Sequence, residues 1–397
     1  VKLLFADPGP VPGLAPSAIQ VLQSVDGFAR AGVEVTLMTP EPSRGIEPES
    51  VLGRPLARSV RLAYLPDLRK RWFFPASSSK PFYWMAARNA RALAAAGDVE
   101  AVLVRNLKMA EVLLRAPGLP PVFFETHELF AQSFKDEFPE RTTHQAKKLA
   151  RLAEREGFVY RSAHGVATLT AALASDIRAE YRDVAPTVVV PDAVDLDLAA
   201  AAEGPRPANP RPVLLYLGSL HKWKGVEVAV AAMRELPGCE LWIAGGSDAR
   251  IHDMRRLSAS LDLSERVQLL GRIEPRERFK LIAQADVCLL PLRPYSIGAR
   301  YTSPLKLFEY MAMGKPVVAS HLPSLAEVLV DRRNAMLVRP EDPRALANAV
   351  RSLIDDPALS RALGAEAKRL AYDRFGWVQR SSRLAEFIAE QLARPRT

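Results

Sequence analysis

Short apolar runs alternate along this chain with longer stretches whose apolar residues recur every three or four positions, which predicts strands and helices in turn. Lys2-Leu3-Leu4-Phe5-Ala6 reads as a buried strand, followed by a Pro/Gly loop, a helix from about Ser17 to Ala31, a stop at Gly32 and a strand from Val33 to Thr39. The alternation continues through strands at Ala101 to Val104, Val122 to Glu125, Gly165 to Thr170 and Thr187 to Val190. Between Glu203 and Pro212 stand four prolines, through which neither a helix nor an inner strand continues. Strands then resume at Val213 to Leu217, Leu241 to Ala244, Val267 to Leu270, Asp286 to Leu290 and Val317 to Ala319. This pattern predicts an α/β protein with two doubly wound parallel sheets.

One stretch, Ser303 to Ser320, organises the second half. Ser303 reads as an N-cap and Pro304 as the first helical position, which leaves the amides of Leu305 and Lys306 without intrahelical acceptors. Such amides, backed by the helix dipole, suit a phosphate group. Lys306 and Glu309 are three apart and share a helix face, so that a cation and a carboxylate stand side by side. Gly314 and Pro316 end the helix before the next strand. Caps and periodicity alone fit an ordinary helix between two strands equally well.

Composition narrows the class. At 397 residues, with 48% hydrophobic and 25% charged positions, the chain fits two globular domains. No apolar run reaches the ~18 residues of a membrane span, and the strand at the N-terminus leaves no signal peptide in view. Cys239 and Cys288 are too few for a disulfide framework and read as buried thiols, which predicts a cytoplasmic setting. A net charge of +9 implies an anionic partner and does not choose between nucleotide, lipid surface and nucleic acid. The basic and aromatic stretches Leu68 to Pro75 and Pro81 to Met85 fit either an edge packed into the first domain or contact with an anionic membrane or an acceptor.

The run SPLKLFEYMAMGKPVVAS resembles the nucleotide-sugar signature of glycosyltransferase family 4, the group 1 glycosyltransferases. The resemblance implies GT-B architecture, two Rossmann-like domains facing a central cleft. The expected division is an acceptor-binding domain over 1–203, a linker over 204–212, a nucleotide-sugar-binding domain over 213–375 and a C-terminal helix over 376–397 returning to the first domain. Glu309 matches the second of the family's paired glutamates, which takes the ribose hydroxyls. The first glutamate, near the donor sugar, is replaced by Tyr301. Gly218 to Gly225 is similar to the family's G-R-L-x-x-x-K-G loop, with Lys224 retained and Ser219 in place of the arginine. Lys222, His221 and Arg300 are then candidates to supply the missing charge.

By the same resemblance His127 and Lys224 are the expected catalytic residues. Gly13, Ser219, Lys224, Ile273, Tyr301, Ser303, Leu305, Lys306 and Glu309 are the expected donor contacts. Asp195-Leu196-Asp197 looks like a metal motif but reads as a turn and helix start, because this scaffold uses no metal carboxylate pair; neither metal nor cofactor is expected. The implied reaction moves a sugar, with retention, from a nucleotide-diphosphate sugar to a hydroxyl acceptor. Peripheral contact with an anionic membrane is compatible with this, and nucleic acid is not an expected partner. The alternatives are an epimerase or phosphorylase on the same fold, or a protein that binds nucleotide sugar or glycan without turnover.

Overall fold

The computed structural model describes residues 1–42, 45–67, 79–205 and 208–394. The basic stretch at 68–75 lies outside these residues, apart from the neighbouring positions from 79 onward. Two compact units emerge, one of Val1–Pro191 with Trp377–Thr397 and one of Asp192–Gly376.

The first unit is built from β1 (Lys2–Ala6), α1 (Pro16–Arg30), β2 (Glu34–Pro40), α2 (Pro48–Leu52), β3 (Arg61–Leu65), α3 (Lys80–Ala95), β4 (Ala101–Val104) and α4 (Leu107–Arg115). It continues with β5 (Val122–Thr126), α5 (Phe130–Glu137), α6 (Thr143–Ser162), β6 (Gly165–Thr168), α7 (Ala171–Glu180) and β7 (Thr187–Val189). Its seven strands run in the order β3-β2-β1-β4-β5-β6-β7, every pairing parallel. Helices on both faces explain why β1, β4 and β5 are buried nearly throughout rather than at alternate positions.

The second unit contains α8 (Leu196–Ala201), β8 (Val213–Leu217), α9 (Val226–Ala232), β9 (Glu240–Ala244), α10 (Asp248–Ser260), β10 (Val267–Gly271) and α11 (Arg278–Gln284). Then come β11 (Val287–Leu290), α12 (Leu305–Ala312), β12 (Val317–Ser320), α13 (Pro323–Ala326), β13 (Met336–Val338), α14 (Pro343–Asp355) and α15 (Pro357–Arg374). Six parallel strands take the order β10-β9-β8-β11-β12-β13. The last helix, α16 (Trp377–Ala393), belongs to the first unit, where it packs on α1.

The boundary falls at Pro191 rather than in the proline-rich segment. Residues 192–203 join the second unit because the Val194 amide donates to the Phe375 carbonyl at 2.8 Å and α8 packs on α12. The segment 204–212 is therefore a connection inside that unit, between α8 and β8. Asp195 caps α8, accepting the Leu198 amide at 3.1 Å, which is the turn and helix start that Asp195-Leu196-Asp197 suggested.

In each sheet the strand order reverses between neighbours, β1 beside β4 in the first and β8 beside β11 in the second. Loops leaving the carboxyl ends of such a pair diverge to opposite faces and leave a crevice between them, the usual ligand position in open α/β sheets. Lys224 lies in the loop after β8, and Asp7 and Arg105 follow the ends of β1 and β4, while Lys306 and Glu309 stand on α12, which the loop after β11 leads into.

Candidate functional site

In the second unit the crevice is formed by the loop after β8, residues 218–225, and the loop after β11, residues 291–304. The Arg293 amide donates to the Trp223 carbonyl at 2.9 Å and joins the two loops. Gly225 has φ +66°, and a Cβ there would stand 1.9 Å from the Pro291 carbonyl oxygen, so only glycine allows this approach. Tyr216 donates its hydroxyl to the Ser219 carbonyl at 2.6 Å, and the Leu217 amide donates to the Tyr310 hydroxyl at 2.9 Å. The β8 end is thereby pinned to α12.

Helix α12 is buried along most of its surface. Leu307, Phe308, Tyr310, Met311 and Ala312 fill the core beneath β11 and β12, with the Phe308 ring 4.8 Å from that of Phe375. Lys306 and Glu309 are buried with them. Pro304 is the cap residue, with no side-chain cap, and the helix starts at Leu305. Ser303, expected to be that cap, instead accepts the Asp192 amide at 2.8 Å through its hydroxyl oxygen. Its side chain is spent on holding the start of the unit, and the amides of Leu305 and Lys306 begin the helix without it.

Lys306 is the most unusual group here. Its residue is 8% exposed, its Nζ has no hydrogen-bond partner among the described residues, and it lies 3.8 Å from the centre of the Tyr216 ring. A Cβ placed on Gly218 would meet that Nζ at 2.9 Å, so the amine sits directly over the glycine that opens the β8 loop. Burial, reinforced by the neighbouring Lys224, holds the Lys306 amine well below the ordinary lysine value despite the opposing charge of Glu309. Lys224, whose Nζ is 3.6 Å from the Trp223 ring, is pushed down to about 7 by burial. Two lysines that are costly to charge in the free protein thus border one loop, an arrangement that an anionic group relieves.

Lys306 stands at the loop that lacks the charge expected from an arginine at Ser219. Among the residues considered for it, Lys222 and His221 are exposed. Ser219 is itself exposed, Ile273 is half-buried after β10, and Tyr301 is 2% exposed in a π-helical turn over Ile297–Tyr301.

Glu309 has a partner that the sequence reading missed. Arg278 Nε is 2.7 Å from Glu309 Oε1, both side chains being 11% exposed. Arg278 opens α11, and nothing local in the sequence distinguishes it from the neighbouring arginines.

The first unit holds a second polar cluster at the carboxyl ends of the adjacent strands β1, β4 and β5. It contains Asp7, Arg105, Glu125 and His127. His127 Nε2 is 2.8 Å from Glu125 Oε1, and its Nδ1 is 3.0 Å from Arg105 Nη2. With the arginine able only to donate, Nδ1 accepts and Nε2 carries the proton toward Glu125. Arg105 Nη2 also donates to Gln20 Oε1. From α16, Arg380 reaches Glu125 Oε2 at 2.9 Å. Burial would raise the Glu125 carboxyl, but Arg380, His127 and Arg105 together hold it well below the usual carboxylate range. Burial raises Asp7, against the pull of Arg105. Neither arginine was singled out from the sequence: Arg105 follows the end of a strand, a signal that could have marked it, whereas Arg380, 255 positions from its partner, carried none.

The segment after His127 is anchored by Glu156 on α6. Its two carboxyl oxygens accept the amides of Phe130 and Ala131 at 2.7 and 2.8 Å, and the Tyr181 hydroxyl donates at 3.0 Å. Burial nevertheless pushes Glu156 up to about 7. Gly13 lies in the loop after β1, where a Cβ would stand 3.0 Å from the Pro10 carbonyl oxygen.

Family models for glycosyl transferases group 1 and for the glycosyl transferase 4-like domain match residues 211–356 and 17–193. The GDP-mannose-dependent alpha-(1-6)-phosphatidylinositol monomannoside mannosyltransferase of Mycolicibacterium smegmatis is 30% identical over 184 residues, 45% of this chain and 48% of that protein. The D-inositol 3-phosphate glycosyltransferase of Xylanimonas cellulosilytica is 30% identical over 222 residues, 52% of each chain. The chain spans about half the length of the curated relatives it matches. Among solved structures, sucrose-phosphate synthase from Thermosynechococcus elongatus superposes with a TM-score of 0.76 at 21% identity, covering 98% of this chain and 99% of that one. Anabaena HepE in complex with UDP gives 0.71 at 18% identity, covering 98% and 100%. With both sheets, both family models and these relatives in agreement, the chain belongs to the group 1 glycosyltransferases of GT-B architecture.

Proposed function

We propose that this protein is a retaining glycosyltransferase that takes a sugar from a nucleotide-diphosphate sugar and passes it to a hydroxyl acceptor. The observation that carries this reading is the buried Lys306 amine over Gly218, without a hydrogen-bond partner among the described residues, with Lys224 at the same loop and Glu309 one helical turn along α12. Lys224, Lys306 and the first amides of α12 take the diphosphate, Glu309 takes the ribose and the backbone near Ile273 meets the base. Catalysis is then mostly positioning and stabilisation of the charge that grows on the departing diphosphate as the anomeric carbon becomes oxocarbenium-like. The acceptor falls to the first unit, where Glu125 and Arg105 fix the His127 ring. HepE carries UDP, and the two curated relatives are named for acceptors built on inositol phosphates, which favours a polar or anionic acceptor here.

Incubation with UDP-, GDP-, ADP- and TDP-sugars without acceptor tests the reading. One donor is expected to raise the thermal midpoint and to release nucleoside diphosphate slowly. Glu309→Ala is expected to weaken that donor by about 10- to 100-fold, the loss of one or two hydrogen bonds to a carboxylate. A protein indifferent to every donor would exclude the assignment.

Contact with an anionic lipid surface belongs to the same proposal. A groove of about 420 Å³ on α3 and α4 is lined by Trp84, Arg88, Arg91 and Arg115, and Trp84 is 65% exposed. An exposed indole beside Arg88, with Arg91 already donating to the Pro117 carbonyl and Arg115 paired with Glu111, suits phosphate headgroups at an interface. Sedimentation with vesicles is expected to retain the protein on anionic but not on zwitterionic lipid. Retention should fall with salt and with Trp84→Ala plus Arg88→Glu. Equal binding to both vesicles, or none, would remove the proposal.

A further inference from the structure

Arg278 lies beside residues to which the donor-site reading gives the two parts of a nucleoside. Along the chain it follows Ile273, where the base is placed, and through space it touches Glu309, where the ribose is placed. Any role for Arg278 toward a nucleoside rests on that donor-site reading. A 3₁₀ turn over Pro275–Glu277 leads directly into Arg278 and α11, so the guanidinium belongs to the first turns of a helical stretch, where the dipole opposes a cation. The guanidinium is nevertheless held firmly. Nη1 donates to the Pro275 carbonyl at 2.9 Å, and the guanidinium carbon lies 4.9 Å from the Phe279 ring centre.

The contact with Glu309 is close but poorly directed. Nε lies 2.7 Å from Oε1, yet its N–H is buried and makes no aligned hydrogen bond among the described residues. The pair therefore attracts by charge while one donor of the guanidinium stays unspent, a costly state for a buried N–H group. A ribose hydroxyl has one proton to give and lone pairs to be satisfied. Glu309 alone, acting as a carboxylate, answers only the first need.

We propose that Arg278 and Glu309 read the ribose together, the hydroxyl donating to the carboxylate and accepting from the Arg278 Nε–H. Arg278 is thus a donor-binding residue that fixes the Glu309 carboxylate and makes the site discriminate ribose from 2′-deoxyribose. Leucine at 278 keeps the bulk and removes the donor. Lysine keeps the charge and loses the planar fork that aligns two groups at once.

Calorimetric titration with UDP, GDP and ADP, each against its 2′-deoxy counterpart, tests this in the wild type and in Arg278→Leu, Arg278→Lys and Glu309→Gln. The wild type should prefer the ribose form of its nucleotide by about tenfold, the worth of one hydrogen bond to a charged group. Arg278→Leu should weaken the ribose form alone and bring the preference within about twofold. Glu309→Gln should do the same, and the double variant should add little to either, as expected for groups that act as a unit. Arg278→Lys should lie between, and it carries the test by itself if the leucine variant does not fold. Weakening of ribose and deoxyribose forms in equal proportion, or an unchanged preference, would show that Arg278 merely neutralises Glu309, and would overturn the inference while leaving the donor site standing. Failure of the wild type to bind any of the three nucleotides would instead fell the donor site itself, and the inference with it.

Discussion

Lys306→Met is expected to lower turnover by about two to three orders of magnitude, the cost of removing one preorganised group that stabilises developing negative charge. The same change is expected to stabilise the free protein. Lys306 is buried without a hydrogen-bond partner, so a thioether of similar length replaces an amine whose charging the site resists. The contact with the Tyr216 ring offsets part of this gain, leaving about 1 kcal/mol or less. Activity and stability thus move in opposite directions, as they do where a fold tolerates an unfavourable group for the sake of a ligand. Single-turnover kinetics and denaturant unfolding on one preparation would check both signs. If turnover is retained, the charge replacing the missing arginine comes from elsewhere. A loss of turnover together with a loss of stability would point to a structural lysine.

Nucleoside diphosphate affinity is expected to fall as pH rises above about 7, because burial brings Lys224 down to about 7 and Lys306 also lies well below its ordinary value. A bound diphosphate favours the charged amines, so binding above that pH takes up protons, and each proton taken up lowers affinity about tenfold per pH unit. The free protein follows the opposite course. Its Lys224 has a lower value folded than unfolded, so the unfolded chain binds more protons between about 7 and 10.4, and this contribution to stability rises with pH across that window. Calorimetry in two buffers of different ionisation enthalpy measures the uptake directly. Binding with no proton uptake at pH 8 would show both lysines already charged in the free protein.

Much of the architecture was legible along the chain because parallel strands buried on both faces leave continuous apolar runs. Lys2–Ala6, Ala101–Val104 and Val213–Leu217 stand where those runs place them. Gly314, with φ +62°, ends α12 where the sequence marks a stop. The Ser303 cap misread a serine whose hydroxyl has a better use on the Asp192 amide, 111 positions away. A capping motif is a local preference worth about 1 kcal/mol, and one long-range hydrogen bond of similar strength suffices to redirect it. The proline-rich segment likewise marks a break in regular structure, but not the division between units, which contacts of α8 with α12 decide.

Local pattern alone set two parallel-sheet units, a helix opening one residue before its observed start at Leu305, and the proximity of Lys306 to Glu309, since helical periodicity places them on one face. Tertiary structure decided which charges meet. It set Lys306 over Gly218, Arg278 against Glu309 and Arg380 against Glu125. Secondary structure is governed by interactions within a few residues and is written in local pattern. The environment of a buried charge depends on side chains brought together by packing from distant segments, and no local pattern records it.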